Sequence, residues 1–304
     1  TSYSTTGIQT IPFYIFYSMF GFQRIGDLAW AAGDSRARGF LLGATAGRTT
    51  LNGEGLQHED GHSHLISATI PNCVSYDPCF AYELAVIIQN GLERMIQNQE
   101  DVYYYITVMN ENYQHPEMPK NIEKNIIQGI YKFSESKLKA PKVQLMGSGV
   151  ILREVIAAAK MLESEWNVSA DIYSVTSFTE LRREALDNER WNMLNPDKKQ
   201  KISIIQEIIS DQESPIVAST DYMKSYAEQI ANFIPNKFVS LGTDGYGRSD
   251  SREALRSFFE VDRYYIVVAA LKALVDSKKI DIEILTKAIR KYKMNNNKPN
   301  PVSI

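Results

Sequence analysis

The stretch F-L-L-G-A-T-A-G-R-T-T-L-N-G-E-G-L-Q-H-E-D-G-H-S-H (Phe40–His64) joins a short apolar strand to a loop rich in glycine, histidine and carboxylates. The loop from Gly47 onward holds three of the four histidines of the chain. In open α/β sheets, ligands bind at loops beyond the carboxyl ends of the strands. Histidine titrates near neutral pH, and glycine lets a ligand approach the backbone. The stretch therefore predicts acid–base chemistry on an α/β sheet; the alternative is a polar surface loop whose composition is coincidental.

Part of the loop matches the zinc-protease pattern H-E-x-x-H, with His58 and His62 as its histidines. That pattern holds a metal only on a helix, where residues four apart share a face. Gly61 lies inside the pattern, Gly53 and Gly55 precede it, and no apolar periodicity flanks it, so a helix is not expected there. We therefore predict no metal site in this chain.

The composition of the 304-residue chain excludes several classes of protein. Its 44% hydrophobic and 23% charged content is typical of a soluble globular protein, and its length allows two domains. The net charge of −3, without a basic block, predicts no nucleic-acid partner. No apolar run is long enough to cross a bilayer and no signal peptide is visible, so no membrane association is expected. Cys73 and Cys79 match no metal or redox spacing, and a cytoplasmic location is expected.

Strand and helix patterns alternate along the chain, which predicts an α/β protein with mostly parallel sheets. In the first half we expect a buried aromatic strand at 11–17, a helix at 18–32, strands at 40–45, 71–78 and 102–109, and a helix at 80–95. The charged segment 132–141 carries no core pattern and predicts a crossing between domains. In the second half we expect strands at 143–147, 171–175, 216–219 and 238–241, helices at 150–165, 178–186, 202–209, 222–233, 252–259, 261–274 and 282–292, and a frayed tail from Asn295.

Six strings, spread in order over almost the whole chain, carry a family resemblance. They are I-P-F-Y-I-F-Y-S-M-F-G-F-Q-R-I-G-D (Ile11–Asp27), the Gly47–His64 loop, N-E-N-Y (Asn110–Tyr113), T-S-F-T-E-L (Thr176–Leu181), S-T-D-Y-M-K (Ser219–Lys224) and G-T-D-G-Y-G-R-S-D (Gly242–Asp250). All six resemble the homodimeric bacterial pyruvate dehydrogenases. That family is the thiamine-diphosphate-dependent, acetyl-transferring first component of the pyruvate dehydrogenase complex.

The resemblance implies two transketolase-like, three-layer α/β domains with mostly parallel sheets. Residues 1–131 would be a partial thiamine-pyrimidine-binding domain, 132–141 a linker, and 142–304 a transketolase C-terminal-like domain. The chain would begin shortly after the cofactor-activating glutamate of the family, as a C-terminal fragment of a longer enzyme. The ligands of the diphosphate and its Mg²⁺ would also lie outside it, since Gly242–Gly245 lacks the asparagine pair that follows the G-D-G signature of thiamine enzymes.

The resemblance also implies roles for four side chains. Glu54 and His58 would be catalytic, with Glu54 orienting pyruvate and His58 transferring protons around pyruvate and during acetyl transfer. Tyr17 would be catalytic near the reacting centre and would bind the cofactor together with Phe20, which would pack on the aminopyrimidine ring. The structural alternatives are a loop histidine for His58 and core aromatics for Tyr17 and Phe20.

The remaining polar residues of the loop have less defined roles. His62 and His64 are expected either behind the catalytic side chains, at an interface or in a solvated loop, and His115 is expected at the surface. Arg48 is expected to pair with carboxylates around the loop.

The second domain shows no clear acid–base set. Its Gly242–Asp250 segment predicts a tight strand-to-helix turn, with Ser249 or Ser251 capping the helix. We expect this domain to support a homodimer and docking of the partner acetyltransferase.

The resemblance implies that the full-length enzyme decarboxylates pyruvate on thiamine diphosphate and acetylates the lipoyl domain of dihydrolipoyl acetyltransferase. The isolated chain is expected to be inactive. Two alternatives stay open: a related thiamine enzyme for another 2-oxo acid or ketose, and a non-catalytic assembly or dimerisation fragment. Substrate profiling separates the first from pyruvate dehydrogenase, and light scattering with a pull-down tests the second.

Overall fold

The computed structural model describes residues 6–209 and 211–304; the first five residues of the predicted first domain lie outside these ranges. The strands are β1 Phe13–Phe16, β2 Phe40–Ala44, β3 Cys73–Tyr76, β4 Tyr103–Val108, β5 Ile130–Ser134, β6 Lys142–Gly147, β7 Ser169–Val175, β8 Ile216–Ser219 and β9 Phe238–Leu241. The α-helices are α1 Ser18–Asp34, α2 Ser63–Ser67, α3 Ala81–Leu92, α4 Glu123–Gln128, α5 Ile151–Trp166, α6 Phe178–Leu194, α7 Ile204–Ile208, α8 Lys224–Glu228, α9 Arg252–Phe258, α10 Arg263–Asp276 and α11 Ile282–Lys291. Short 3-10 turns lie at Leu56–His58, Ala231–Phe233 and Pro301–Ser303, and a π-helical turn follows α3 at Glu93–Gln97.

The first sheet is parallel and has the spatial order β1-β2-β4-β3. Successive side chains of β4 point to opposite faces, as a pleated strand requires. Tyr103 and Tyr105 pack with Phe22 of α1 on one face, whereas Tyr104 and Ile106 pack in the core on the other. Both faces are therefore covered, which is the usual arrangement of a parallel sheet.

Strand β1 lies at the edge of this sheet, so the expectation of a buried strand at 11–17 is wrong. Among the described strands it pairs with β2 alone, and Phe13, Tyr14 and Ile15 are exposed. Aromatic and β-branched residues favour a strand wherever it lies in a sheet. They predicted the strand correctly but not the number of its neighbours.

The second sheet has the order β5-β7-β6-β8-β9, in which β5 is antiparallel and the other strands are parallel. Val143 and Leu145 of β6 face a core shared with α5, α10 and α11, and Met146 faces a second core on the opposite side. The predicted fold class, α/β with two three-layer domains and mostly parallel sheets, is confirmed.

The segment predicted to cross between the domains starts with a strand of the second sheet. Helix α4 ends at Gln128, and the next residue, Gly129, reverses the chain into β5 with a φ of 103°. Because β5 is an edge strand, Lys132 reaches solvent and the core pattern is incomplete. Neither α4 nor β5 was predicted. The proposed domain limits at 131 and 142 stay a prediction.

The C-terminal tail is ordered against α9, contrary to the expected fraying. Lys298 Nζ donates hydrogen bonds to the carbonyl oxygens of Ser257 at 2.8 Å and Phe258 at 2.6 Å. Pro301 is buried in the last 3-10 turn. These contacts hold a segment whose composition alone predicts disorder.

The described ranges contain no helix with the length and apolarity that crossing a membrane requires.

Candidate active site

The four predicted site residues meet at the end of the first sheet where the carboxyl ends of β1 and β2 lie. Strands β1 and β2 are parallel neighbours, so the segments that follow them leave the sheet at the same edge. Tyr17 follows β1 and immediately precedes α1, which carries Phe20 in its first turn. The segment after β2 becomes the site loop, which we define as residues 47–61, and it carries Glu54 and His58. The strand order therefore places all four side chains together.

Tyr17, Phe20, Glu54 and His58 are in direct contact. The ring centroids of Tyr17 and His58 lie 5.3 Å apart with an interplanar angle of 19°, and Phe20 meets the His58 ring edge-on at 4.9 Å. Glu54 Oε2 lies 3.2 Å from His58 Nδ1. A carboxylate on Nδ1 orients an imidazole and leaves Nε2 to exchange a proton. The cluster thus combines an aromatic wall with an oriented proton carrier.

The cluster is open to solvent on one side. The His58 and Glu54 side chains are 25% and 40% exposed, and Tyr17 is 42% exposed. The Arg24 guanidinium lies 4.0 Å from the centroid of the Phe20 ring. Solvent therefore reaches Tyr17 directly, whereas the Arg24 guanidinium covers one face of the Phe20 ring.

The start of the site loop is fixed by Asp221, which follows β8 in the second domain. Its Oδ1 accepts hydrogen bonds from Thr49 N at 2.9 Å and Thr49 Oγ1 at 2.6 Å, and its Oδ2 accepts one from Thr50 Oγ1 at 2.6 Å. Gly47 has a φ of 91°, and a Cβ there would collide with Asp221 Oδ2. Only glycine fits this close approach.

Arg48 is buried and bonds to backbone carbonyls rather than to the carboxylates that were expected. Its Nη1 donates to the carbonyl oxygens of Thr243, at 2.5 Å, and of Gly245. Its Nε donates to the carbonyl oxygen of Glu59 at 3.4 Å. Burial lowers the pKa of Arg48, and the negative charge of Asp60 opposes that shift. The guanidinium fork, which offers five N–H donors, suits converging carbonyls.

Glu59 ends the 3-10 turn that carries His58, and its side chain is buried. Its Oε2 accepts a hydrogen bond from Arg248 N at 2.5 Å, while Oε1 has no partner among the described residues. Burial raises the pKa of Glu59 to about 8, against the opposing effect of that hydrogen bond. The carboxyl group is therefore mostly neutral at pH 7.

His64 lies in the interior between the two domains, which matches the interface alternative. Its Nε2 is 3.0 Å from Thr107 Oγ1, and its ring stacks on Tyr226 at 4.8 Å and meets Tyr222 edge-on at 4.7 Å. Burial lowers the pKa of His64 to about 3, so the ring stays neutral at pH 7. His64 packs the domains together and does not face the cluster around His58.

The two remaining histidines lie outside the cluster. His62 Nε2 is 2.8 Å from Gln23 Nε2 of α1, so this side chain contacts the helix that carries Phe20. His115 is exposed, as expected, and its Nδ1 accepts a hydrogen bond from Ala81 N at 2.9 Å.

Asp77 is a further buried carboxyl group and is not among the residues predicted for the site. It follows β3, and its Oδ1 accepts a hydrogen bond from Thr107 Oγ1 at 2.7 Å. Thr107 Oγ1 also lies 3.0 Å from His64 Nε2, so the Thr107 hydroxyl links Asp77 to His64. Burial raises the pKa of Asp77 to about 7. An acidic residue immediately after a strand was the available signal.

These buried groups predict how stability depends on pH. The raised pKa values of Glu59 and Asp77 mean that the folded chain binds these two protons more tightly than the unfolded chain does. The free energy of unfolding therefore falls as the pH rises, from 4.5 to about 8 because of Glu59 and from 3.8 to about 7 because of Asp77. The lowered pKa of His64 means that the unfolded chain takes up a proton at a higher pH than the folded chain does. The free energy of unfolding therefore also falls as the pH drops from 6.5 to about 3.

Replacing Glu59 by Gln is therefore expected to flatten the loss of stability between pH 6.5 and about 8, because a neutral side chain has no proton to lose. Urea unfolding of wild type and variant across this range measures the effect. Two curves of equal slope would contradict the assignment of a proton to Glu59.

The described residues include no group of three or more His, Cys, Asp or Glu side chains placed to hold a metal ion. His58 lies on the 3-10 turn Leu56–His58, whereas His62 caps the start of α2. The zinc-protease pattern requires both histidines on one helix, and His58 and His62 do not share one.

Comparison with known proteins identifies two matching domain families. Residues 1–116 match the model of the pyruvate dehydrogenase E1 component middle domain, and residues 129–262 match that of the transketolase-like TK C-terminal domain.

Long relatives match over the whole chain. It is 60% identical to the pyruvate dehydrogenase E1 component of Cupriavidus necator over 306 aligned residues, which cover 100% of this chain and 34% of the relative. It is 58% identical to the pyruvate dehydrogenase E1 component of Escherichia coli, with 99% of this chain and 34% of the relative covered. The chain thus spans about a third of the length of the curated relatives it matches.

A solved structure shares the fold. A transketolase variant from Pichia stipitis superposes with a TM-score of 0.66 at 15% sequence identity, covering 88% of this chain and 34% of that one. The expected transketolase-like architecture is confirmed at the level of the fold.

Proposed function

Because the chain belongs to the pyruvate dehydrogenase E1 component family, we propose that it supplies the proton-transferring side of an active site that decarboxylates pyruvate and transfers the acetyl group to a lipoyl group. The contact of Glu54 and His58 with the aromatic rings of Tyr17 and Phe20 carries this proposal. It joins an oriented imidazole to a surface that a planar cofactor can cover. That combination suits chemistry in which a carbon centre and a proton carrier act side by side.

The residues present fit one end of thiamine diphosphate. When bound, this cofactor supplies a carbon nucleophile for the 2-oxo group of the substrate and takes up the electron pair released with CO₂. Tyr17 and Phe20 offer an aromatic surface for its rings, and the open side of the cluster admits them. We propose that polypeptide outside this chain holds the diphosphate and its Mg²⁺.

The proton transfers can be assigned to atoms of this chain. Reductive acetylation of a lipoyl disulfide removes a proton from the substrate-derived hydroxyl group and delivers one to the departing sulfur. His58 Nε2 is the atom proposed for both transfers, since Nδ1 faces Glu54 Oε2 at 3.2 Å. Glu54 orients the imidazole and the pyruvate carboxyl group.

We propose that the isolated chain does not turn over pyruvate. Its Glu54 and His58 side chains are 40% and 25% exposed, so much of the enclosure that excludes water has to come from other polypeptide. With thiamine diphosphate and Mg²⁺ added, CO₂ release from pyruvate should equal the buffer background for the chain and exceed it for the full-length protein. Turnover by the chain alone would contradict the division of the site. A full-length protein that prefers another 2-oxo acid would contradict the substrate.

We propose a homodimer as the working state, in the cytoplasm, with the lipoyl domain of dihydrolipoyl acetyltransferase as partner. Exposed apolar side chains on β1 and α1 support an interface at these elements; they are Phe13, Tyr14, Ile15, Leu28 and Trp30. Light scattering of the full-length protein tests the dimer, and a monomer at assay concentration would refute it.

A further inference from the structure

The second domain surrounds the site loop with hydrogen bonds but contributes no side chain to the cluster around His58 within the described residues. We propose that this domain is a positioning element of the active site, acting through Arg48 and Glu59. The catalytic part of this inference rests on the proposed function. Its geometric part, the orientation of the His58 ring, can be measured without turnover.

Residues 53–59 of the site loop carry both Glu54 and His58. This stretch is held at each end by backbone groups of the segment after β9. At one end, Gly53 N donates to the carbonyl oxygen of Asp250 at 3.1 Å. At the other end, Arg248 N donates to Glu59 Oε2 at 2.5 Å. Glu54 and His58 lie between these two points. The Gly242–Asp250 segment was predicted only as a tight turn between a strand and a helix. It therefore also holds residues 53–59 of the site loop at both ends.

Arg48 sets the distance between the loop and this segment. Its buried guanidinium bridges the carbonyl oxygens of Thr243 and Gly245 to that of Glu59. A Cβ on Gly61 would collide with the guanidinium, so the loop closes directly over it. The buried guanidinium has few other positions, because each hydrogen bond that it lost would leave part of a buried charge without a partner.

A further contact ties the loop to the helix that follows the turn. Arg252 Nε of α9 donates to the carbonyl oxygen of Thr50 at 2.7 Å. Ser251 caps the start of α9: its Oγ accepts a hydrogen bond from Ala254 N, and it is one of the two serines predicted for this role. The start and the end of the site loop are thus both fixed to the second domain.

The rings that contact His58 belong, like the site loop itself, to the first domain. Tyr17 and Phe20 lie at the start of α1, so the contact between these rings and His58 depends on how the second domain places the loop. Misplacing a reacting group by about 1 Å can cost on the order of 100-fold in rate. The interdomain hydrogen bonds therefore act on catalysis through geometry.

Arg48→Met tests this role, because it keeps the length of the side chain and removes its donors. Arg48→Lys is the second variant: it keeps the charge but loses the fork that reaches two carbonyl oxygens. Arg183→Met is the matched control. Arg183 of α6 also bonds carbonyl oxygens of the first domain, at Ile70 and Cys73, away from the site loop.

The first readout is the ¹H–¹³C spectrum of the histidine rings in the isolated chain, with the His58 signal assigned by its loss in His58→Gln. Arg48→Met should shift the His58 signal, whose ring lies against Tyr17 and Phe20, and Arg183→Met should leave it in place. An unchanged His58 signal in Arg48→Met, or an equal shift in the control, would overturn the inference. If Arg48→Met does not fold, Arg48→Lys is judged by the same two outcomes.

The second readout is steady-state kinetics of the full-length protein. Arg48→Met should lower kcat on the order of 100-fold with a smaller change in the KM for pyruvate, and Arg183→Met should leave kcat within about twofold while lowering stability. Equal kcat values for folded Arg48→Met and wild type would reduce Arg48 to a structural role. Inactive wild-type protein would refute the proposed function alone, because the ring signals do not depend on turnover.

Discussion

Replacing His58 by Ala in the full-length protein is expected to lower the rate of lipoyl acetylation from pyruvate by a factor of about 100 to 10,000, the range contributed by a positioned acid–base group. The variant loses the imidazole whose Nδ1 faces Glu54, while Tyr17 and Phe20 keep their places on α1. Binding of the cofactor should change little. Acetylation of a lipoyl domain and CO₂ release coupled to an artificial electron acceptor, measured side by side, separate the two half-reactions.

His115→Ala is the matched control for this substitution. His115 is exposed and does not belong to the cluster, so its removal should leave both rates near those of wild type. If His58→Ala changed only the concentration of thiamine diphosphate needed for activity, His58 would be a binding residue and the proton-transfer role would be wrong.

Replacing Glu83 by Ala is expected to destabilise the isolated chain by about 3–5 kcal/mol, because each buried donor that loses its acceptor costs roughly 1–3 kcal/mol. Glu83 of α3 is fully buried and accepts four hydrogen bonds. Two come from backbone N–H groups of its own helix start, at Cys79 and Phe80, and two come from the hydroxyls of Tyr131 and Ser174 in the second sheet, each at 2.7 Å. The substitution leaves the two backbone N–H groups and the Ser174 hydroxyl buried without this acceptor, while the Tyr131 hydroxyl keeps its contact with the Tyr82 hydroxyl at 2.6 Å.

Urea denaturation followed by circular dichroism measures the loss. Glu93→Ala is the control, since Glu93 is an exposed glutamate at the end of the same helix and should change stability by no more than about 0.5 kcal/mol. Equal midpoints for Glu83→Ala and wild type would show that the contacts between the two sheets do not depend on this carboxyl group.

Local patterns predicted most elements of the fold. The strands at 216–219 and 238–241 were placed at their observed bounds, because short apolar runs between polar turns leave little freedom. Segments at sheet edges were harder. The composition of β1 does not reveal that it has a single described neighbour, and β5 was hidden because an edge strand tolerates the charge of Lys132.

The family resemblance, and not a local pattern, predicted the four residues of the cluster, and the strand order explains why they meet. Two parallel strands end side by side, so residues after each of them come together. The partners of Arg48 could not be predicted, because all three are backbone oxygens, two of them about 200 positions further along the chain, and no side-chain pattern marks a carbonyl group. Asp77 and Glu83 were missed for a related reason: burial gives them their properties, and burial depends on the packing of the two domains.

We propose that Tyr17, Phe20, Glu54 and His58 form the wall of the active site against which cofactor and substrate lie. The most direct test is a crystal structure of the full-length protein with thiamine diphosphate and an unreactive pyruvate analogue. The predicted result is Phe20 against the aminopyrimidine ring and the analogue within hydrogen-bond reach, about 2.6–3.2 Å, of His58 or Glu54. A cofactor bound elsewhere, or Glu54 and His58 turned away from the analogue, would contradict the account.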